Sequence, residues 1–130
     1  MTKTILLLLV EDEPRILMDA EEALIDGGFE VITALNGTDA ECRLVEHPNG
    51  FAGVITDIRL EGKITGWEIA RRAREANPST AIVYMTADSA AEWASKGVPN
   101  SQLVQKPFAN AQLVTAISML LTQNDSTPQD

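Results

Sequence analysis

The apolar positions of this chain change rhythm along its length. Residues 5–10 form a continuous apolar run with no alternation. A parallel strand covered on both faces reads this way. Further strands are predicted at 29–34, at 51–56 with Asp57 just beyond, at 81–85 with Thr86 at the end, and at 103–105. Between these runs the apolar positions follow helical spacing. Over 13–26, Ile16, Leu17, Ala20, Ala23 and Leu24 mark one face. Pro14 suits a first turn, and Gly27 with Gly28 ends the pattern. Helices are also predicted over 37–46, over 66–76 up to Asn77 and Pro78, weakly over 89–95, and over 110–121. In the last, Leu113, Ala116, Ile117 and Leu120 share a face.

Five strands alternating with five helices predict an α/β fold, an open five-stranded parallel sheet with helices on both faces. Crossovers are right-handed by chain chirality. The flavodoxin-like order 2-1-3-4-5 is one of two common solutions, and periodicity alone does not choose between them. We expect one domain over 1–122 and a short polar tail over 123–130.

Composition narrows the function. Acidic residues number 19 and basic residues 10, so the formal charge is 10 − 19 = −9. Such a surface repels phosphate backbones and anionic membranes. Direct nucleic-acid binding is not expected. The N-terminal apolar run is too short for a signal peptide and ends in Glu11, Asp12 and Glu13. No segment is long enough to cross a bilayer. Cys42 is the single cysteine, which rules out an internal disulfide and fits a reducing, cytoplasmic setting. It reads as a small buried apolar group. Trp67 and Trp93 read as helix residues at the surface or an interface. His47 reads as solvated and Tyr84 as core.

In parallel sheets, ligands bind at the carboxyl ends of the strands. The predicted ends carry Glu11 and Asp12, Asp57, Thr86 and Lys106. In the 2-1-3-4-5 order these four strands are neighbours, and the five side chains converge. Carboxylates about 4 Å apart repel by on the order of 4 kcal/mol at an effective dielectric near 20. Such a pocket calls for a cation, and hard oxygen donors favour Mg²⁺. With a lysine and a hydroxyl beside them, these groups suit phosphoryl transfer to an aspartate.

Glu11 and Asp12 after an apolar strand, Asp57 opening a loop, Thr86 with Ala87, and Lys106 with Pro107 together resemble the signature of response-regulator receiver domains. The resemblance runs from about Thr4 to Leu121. It implies a stand-alone phosphorylation switch of a bacterial two-component system rather than an enzyme. Asp57 would take a phosphoryl group from a histidine kinase or histidine phosphotransfer protein. Glu11, Asp12, Asp57 and the backbone carbonyl of Arg59 would hold Mg²⁺. Lys106 would pair with Asp57, Thr86 would turn toward the phosphoryl group, and the Lys106-Pro107 bond would be cis. A partner protein would read the surface of strands four and five and the last helix. Homodimerisation through that face is left open. The stretch 83–87 with Trp93, Gly97, Val98, Pro99, Lys106, Pro107 and Phe108 is similar to single-domain receivers of alphaproteobacteria.

Two departures stand out. Leu103 occupies a position where many members carry an aromatic residue that swings inward. The loop after Asp57 lacks the usual proline and is a residue longer than the commonest form. Other readings are a phosphate sink, a phosphorelay intermediate, a receiver that is never phosphorylated, and a Mg²⁺-dependent aspartyl phosphatase. The phosphatase would place its nucleophile on the first strand in a D-x-D pattern, which is missing here. A flavodoxin-type carrier would need a Ser/Thr/Gly-rich loop where Glu11 to Pro14 stand.

Overall fold

A computed structural model describes residues 4–125. Its five strands are β1 (Leu6–Val10), β2 (Glu30–Ala34), β3 (Gly53–Asp57), β4 (Ala81–Thr86) and β5 (Ser101–Gln105). The helices are α1 (Pro14–Asp26), α2 (Gly37–Glu46), α3 (Gly66–Ala76), α4 (Trp93–Lys96) and α5 (Asn110–Asp125). A 3-10 turn, Ala90–Glu92, leads into α4. All strand pairs are parallel, in the order β2-β1-β3-β4-β5. This is the expected flavodoxin-like sheet.

The uniform apolarity of β1 has a direct cause. Successive side chains of a strand point to opposite faces. Leu8 and Val10 join Val54, Ile82 and Tyr84 in one core, closed by Ala40 and Leu44 of α2 and Ile69, Ala70 and Ala73 of α3. Leu7 and Leu9 join Ile55, Val83 and Met85 in a second core, closed by Leu17, Ala20 and Leu24 of α1 and Leu113, Ile117 and Leu120 of α5. The central strands of the sheet are therefore buried on both sides, and their carboxyl ends meet at one edge.

Helix starts follow local chemistry. Asn36 caps α2 by accepting from the Asp39 N–H at 2.8 Å, and Thr65 caps α3 by accepting from the Glu68 N–H at 3.3 Å. Pro14 opens α1, where its missing N–H is not needed.

Several boundaries differ from expectation. Strand β5 starts at Ser101, two residues early, because Ser101 and Gln102 pair with Ile82 and Val83 of β4. The fourth helix is a 3-10 turn followed by four helical residues. Helix α5 continues to Asp125, so residues 123–125 of the expected tail are helical. No glycine or proline intervenes before Pro128 to stop it. Residues 126–130 of that tail lie outside the described residues.

Three side chains are also placed differently. Cys42 is exposed, because Ala40 and Leu44 take the inward phase of α2. Trp67 is buried rather than at the surface, its ring 4.7 Å from that of Tyr84. His47 is half-buried, bonded through Nδ1 to the Arg43 carbonyl and packed on Phe51.

Arg74 of α3 ties three segments together. Its guanidinium donates to the carbonyls of Thr80 at 2.6 Å, Pro99 at 2.7 Å and Asn100 at 3.4 Å. Burial pulls its pKa down from the ordinary arginine value. We expect Arg74→Ala to cost about 1.5 kcal/mol by stripping charged donors from these carbonyls. Urea unfolding reads that loss, and an unchanged midpoint would contradict it.

Candidate functional site at the carboxyl edge of the sheet

The carboxyl ends of β1, β3, β4 and β5 meet at one edge, and the five expected side chains lie there. Glu11 is fully buried, Asp57 and Thr86 are buried, and Asp12 and Lys106 are half-buried. One ligand oxygen from each of Glu11, Asp12 and Asp57 lies within 4.8 Å of the others.

Lys106 is the central cation. Its Nζ donates to Glu11 Oε1 at 2.7 Å and to Asp57 Oδ2 at 2.9 Å. It reaches them because the Lys106 N–H bonds to the Thr86 carbonyl at 2.7 Å, which carries the end of β5 along β4. The Lys106-Pro107 bond is cis, as the resemblance implies. The second Glu11 oxygen accepts from the Glu13 N–H at 3.0 Å. The Lys106–Glu11 bond was not anticipated from the sequence, which pairs Lys106 with Asp57 alone.

One lysine does not balance three carboxylates. Burial pushes Glu11 above the ordinary carboxylate range, and repulsion from Asp57 adds to this against the Lys106 and Glu13 hydrogen bonds. Burial pushes Asp57 up as well, aided by Asp12 and opposed by Lys106. Burial alone would lower Lys106, but its bonds to Glu11 and Asp57 hold it above its ordinary value. The remaining negative charge, carried on hard oxygens, fits a small divalent cation.

The two loops beside the site are joined. Thr86 Oγ1 accepts from the N–H groups of Asp88 at 3.1 Å and Ser89 at 2.7 Å, which pins the start of the 3-10 turn. Asp88 Oδ1 accepts from Ser89 Oγ at 3.0 Å and pairs with Arg59 Nε at 3.1 Å. The Arg59 side chain is therefore turned out to the surface, and its backbone lies in the loop after Asp57. Glu61 of the same loop donates its N–H to Asp12 Oδ2 at 3.1 Å. Nothing in the sequence pattern points to that bond, because the donor is a backbone group 49 residues away. Leu103 is half-buried and packs on the Tyr84 side of the sheet.

The family model for the response regulator receiver domain matches residues 7–118. The chain belongs to the response regulator receiver domain family, whose members are phosphoacceptor switches of two-component systems. A response regulator receiver protein from Sinorhizobium medicae is 43% identical, with a TM-score of 0.89 over 94% of this chain and 98% of that one. The response regulator receiver protein CpdR of Brucella abortus is 32% identical over 88% of this chain and 95% of its own length. The response regulator TrrA of Thermotoga maritima, solved in complex with Mg²⁺-BeF, is 30% identical, with a TM-score of 0.72 over 90% of this chain and 99% of that one. The chain spans about half the length of several other curated relatives it matches, among them transcriptional regulatory proteins.

Proposed function

We propose that this domain is a Mg²⁺-dependent phosphoacceptor in which Asp57 takes the phosphoryl group. The observation that carries the reading is Lys106 Nζ bridging Glu11 and Asp57 while an Asp12 oxygen lies within 4.8 Å of an oxygen of each. An Asp57 oxygen attacks phosphorus, the P–N bond of a phosphohistidine breaks, and the leaving imidazole keeps the electron pair and takes a proton. The donor is a histidine kinase or a histidine phosphotransfer protein. Glu11, Asp12, Asp57 and the Arg59 carbonyl would hold Mg²⁺, which when bound offsets charge on the transferring phosphoryl oxygens. The bound Mg²⁺ of the similar TrrA supports this choice of ion.

Lys106 then exchanges part of its bond to Asp57 for a phosphoryl oxygen. Thr86 turns its hydroxyl to another oxygen and so releases the amides of Asp88 and Ser89. That frees the turn leading to α4 and changes the surface of β4, β5 and α5 that a downstream protein reads. The receiver spans 1–122 in this reading and acts as a switch, not as a turnover enzyme, in the cytoplasm.

Thermal unfolding with MgCl₂ tests the ion site. At tenfold the dissociation constant, bound Mg²⁺ stabilises the native state by about 1.4 kcal/mol. We expect the wild type to show that rise and Asp12→Asn to lose most of it. Equal rises in the two proteins would contradict the site.

A further inference from the structure

We infer that the loop between β3 and α3 is a positioning element for the cation site, with the Glu61 amide holding Asp12 and Gly62 making that hold possible. The inference rests on the Mg²⁺ site proposed above and adds the residues that orient it.

Asp12 differs from the other two carboxylates. Glu11 and Asp57 are both bound to Lys106, and Glu11 also to the Glu13 amide. Among the described residues, the one hydrogen bond to the Asp12 carboxylate is from the Glu61 N–H. That bond forms while Asp12 still has an oxygen within 4.8 Å of the other two ligand atoms. One oxygen is thus tethered and the carboxylate is aimed into the cluster without a competing lysine. A tethered ligand loses less rotamer freedom on binding, and such outer partners tune metal affinity.

The loop is built to hold this amide still. Leu60 and Ile64 pack on the core of the Tyr84 face. Ile64 presses against Gly37, whose added Cβ would lie 2.5 Å from the Ile64 Cβ. The Gly66 N–H closes the loop on the Ile58 carbonyl at 2.9 Å. Between these anchors the chain bends at Gly62, where φ is +98°. An L side chain rarely adopts that value. A Cβ added at Gly62 would meet nothing within 4 Å, so the glycine serves the backbone turn and no packing contact.

The same fold contains a matched control. Gly28 also has φ +98° and open space around its missing Cβ, but it precedes β2 at the opposite edge of the sheet. Gly28→Ala therefore also forces an L side chain into positive φ, but far from the site.

The experiment is a MgCl₂ titration followed by backbone amide chemical shifts. It compares the wild type, Gly62→Ala, Gly28→Ala, Glu61→Pro and Asp12→Asn. We expect Gly62→Ala and Glu61→Pro, which deletes the donor, to bind Mg²⁺ about tenfold more weakly, with Gly28→Ala within about twofold of the wild type. The Glu61 amide proton should sit downfield in the wild type and Gly28→Ala and move upfield in Gly62→Ala. Equal affinities for Gly62→Ala and Gly28→Ala would overturn the inference. If Asp12→Asn abolishes binding while Gly62→Ala and Glu61→Pro match the wild type, the positioning role alone falls. If Asp12→Asn binds as tightly as the wild type, the cation site falls and this inference with it.

Discussion

Replacing Lys106 with alanine is expected to cost about 3 kcal/mol at neutral pH without Mg²⁺, the low end for breaking a buried pair. The lysine side chain is only 16% exposed and holds two buried carboxylates. Its loss leaves Glu11 and Asp57 facing each other with no counter-charge. The pH response has a definite sign. Both carboxyls already have folded-state pKa values above their ordinary ones, with burial the largest cause. The variant raises them further. The native state then binds more protons than the unfolded state, so stability rises as pH falls from neutral through the folded pKa values. The gain levels off at the unfolded values. In the wild type, Lys106 has a raised pKa, so its contribution persists from neutral pH until the pH climbs through that raised value. Urea unfolding of Lys106→Ala at neutral and mildly acidic pH reads both effects. A loss below about 1 kcal/mol, or one that acid does not reduce, would contradict the account.

Gly66→Ala should be as damaging for a different reason. A Cβ at Gly66 would lie 2.1 Å from the Asp57 carbonyl oxygen and 2.9 Å from the Asp57 carbonyl carbon and the Ile58 Cα. All three are backbone atoms, so no rotamer change relieves the overlap. The Gly66 N–H to Ile58 carbonyl bond at 2.9 Å and the Thr65 cap of α3 hold the segment there. We expect a loss of about 3 kcal/mol, near the upper range for overpacking. For a chain of this size that lowers Tm by about 10 °C. Because Asp57 itself must move, Mg²⁺ binding should weaken in any fraction that stays folded. Gly53→Ala offers the contrast, since its nearest neighbours are the side-chain ends Ile117 Cδ1 at 2.8 Å and Leu7 Cδ2 at 2.9 Å, which can shift. A Gly66→Ala melting point within about 2 °C of the wild type would refute the close approach.

Much of the site was legible because of how parallel sheets are built. Once β1, β3, β4 and β5 were read from their apolar runs, Glu11, Asp12, Asp57, Thr86 and Lys106 fell at strand ends, and the strand order brought them together. What stayed hidden needs three-dimensional geometry. Lys106 bonds to Glu11 because β5 follows β4 past Thr86. Thr86 spends its hydroxyl on two backbone amides, and backbone groups leave no trace in a residue pattern. The same holds for the Glu61 amide on Asp12. Trp67 and Cys42 exchanged their expected places because helical phase in α2 and α3 depends on which neighbours face the sheet. The early start of β5 shows tertiary pairing extending a strand through Ser101 and Gln102, which lack strand-like apolarity.

Asp57 as the phosphoacceptor is tested by intact-protein mass after incubation with acetyl phosphate and Mg²⁺, for the wild type and Asp57→Asn side by side. We expect the wild type to gain the mass of one phosphoryl group, chelation of Mg²⁺ to prevent the gain, and Asp57→Asn to gain nothing. Equal uptake by Asp57→Asn would contradict this role.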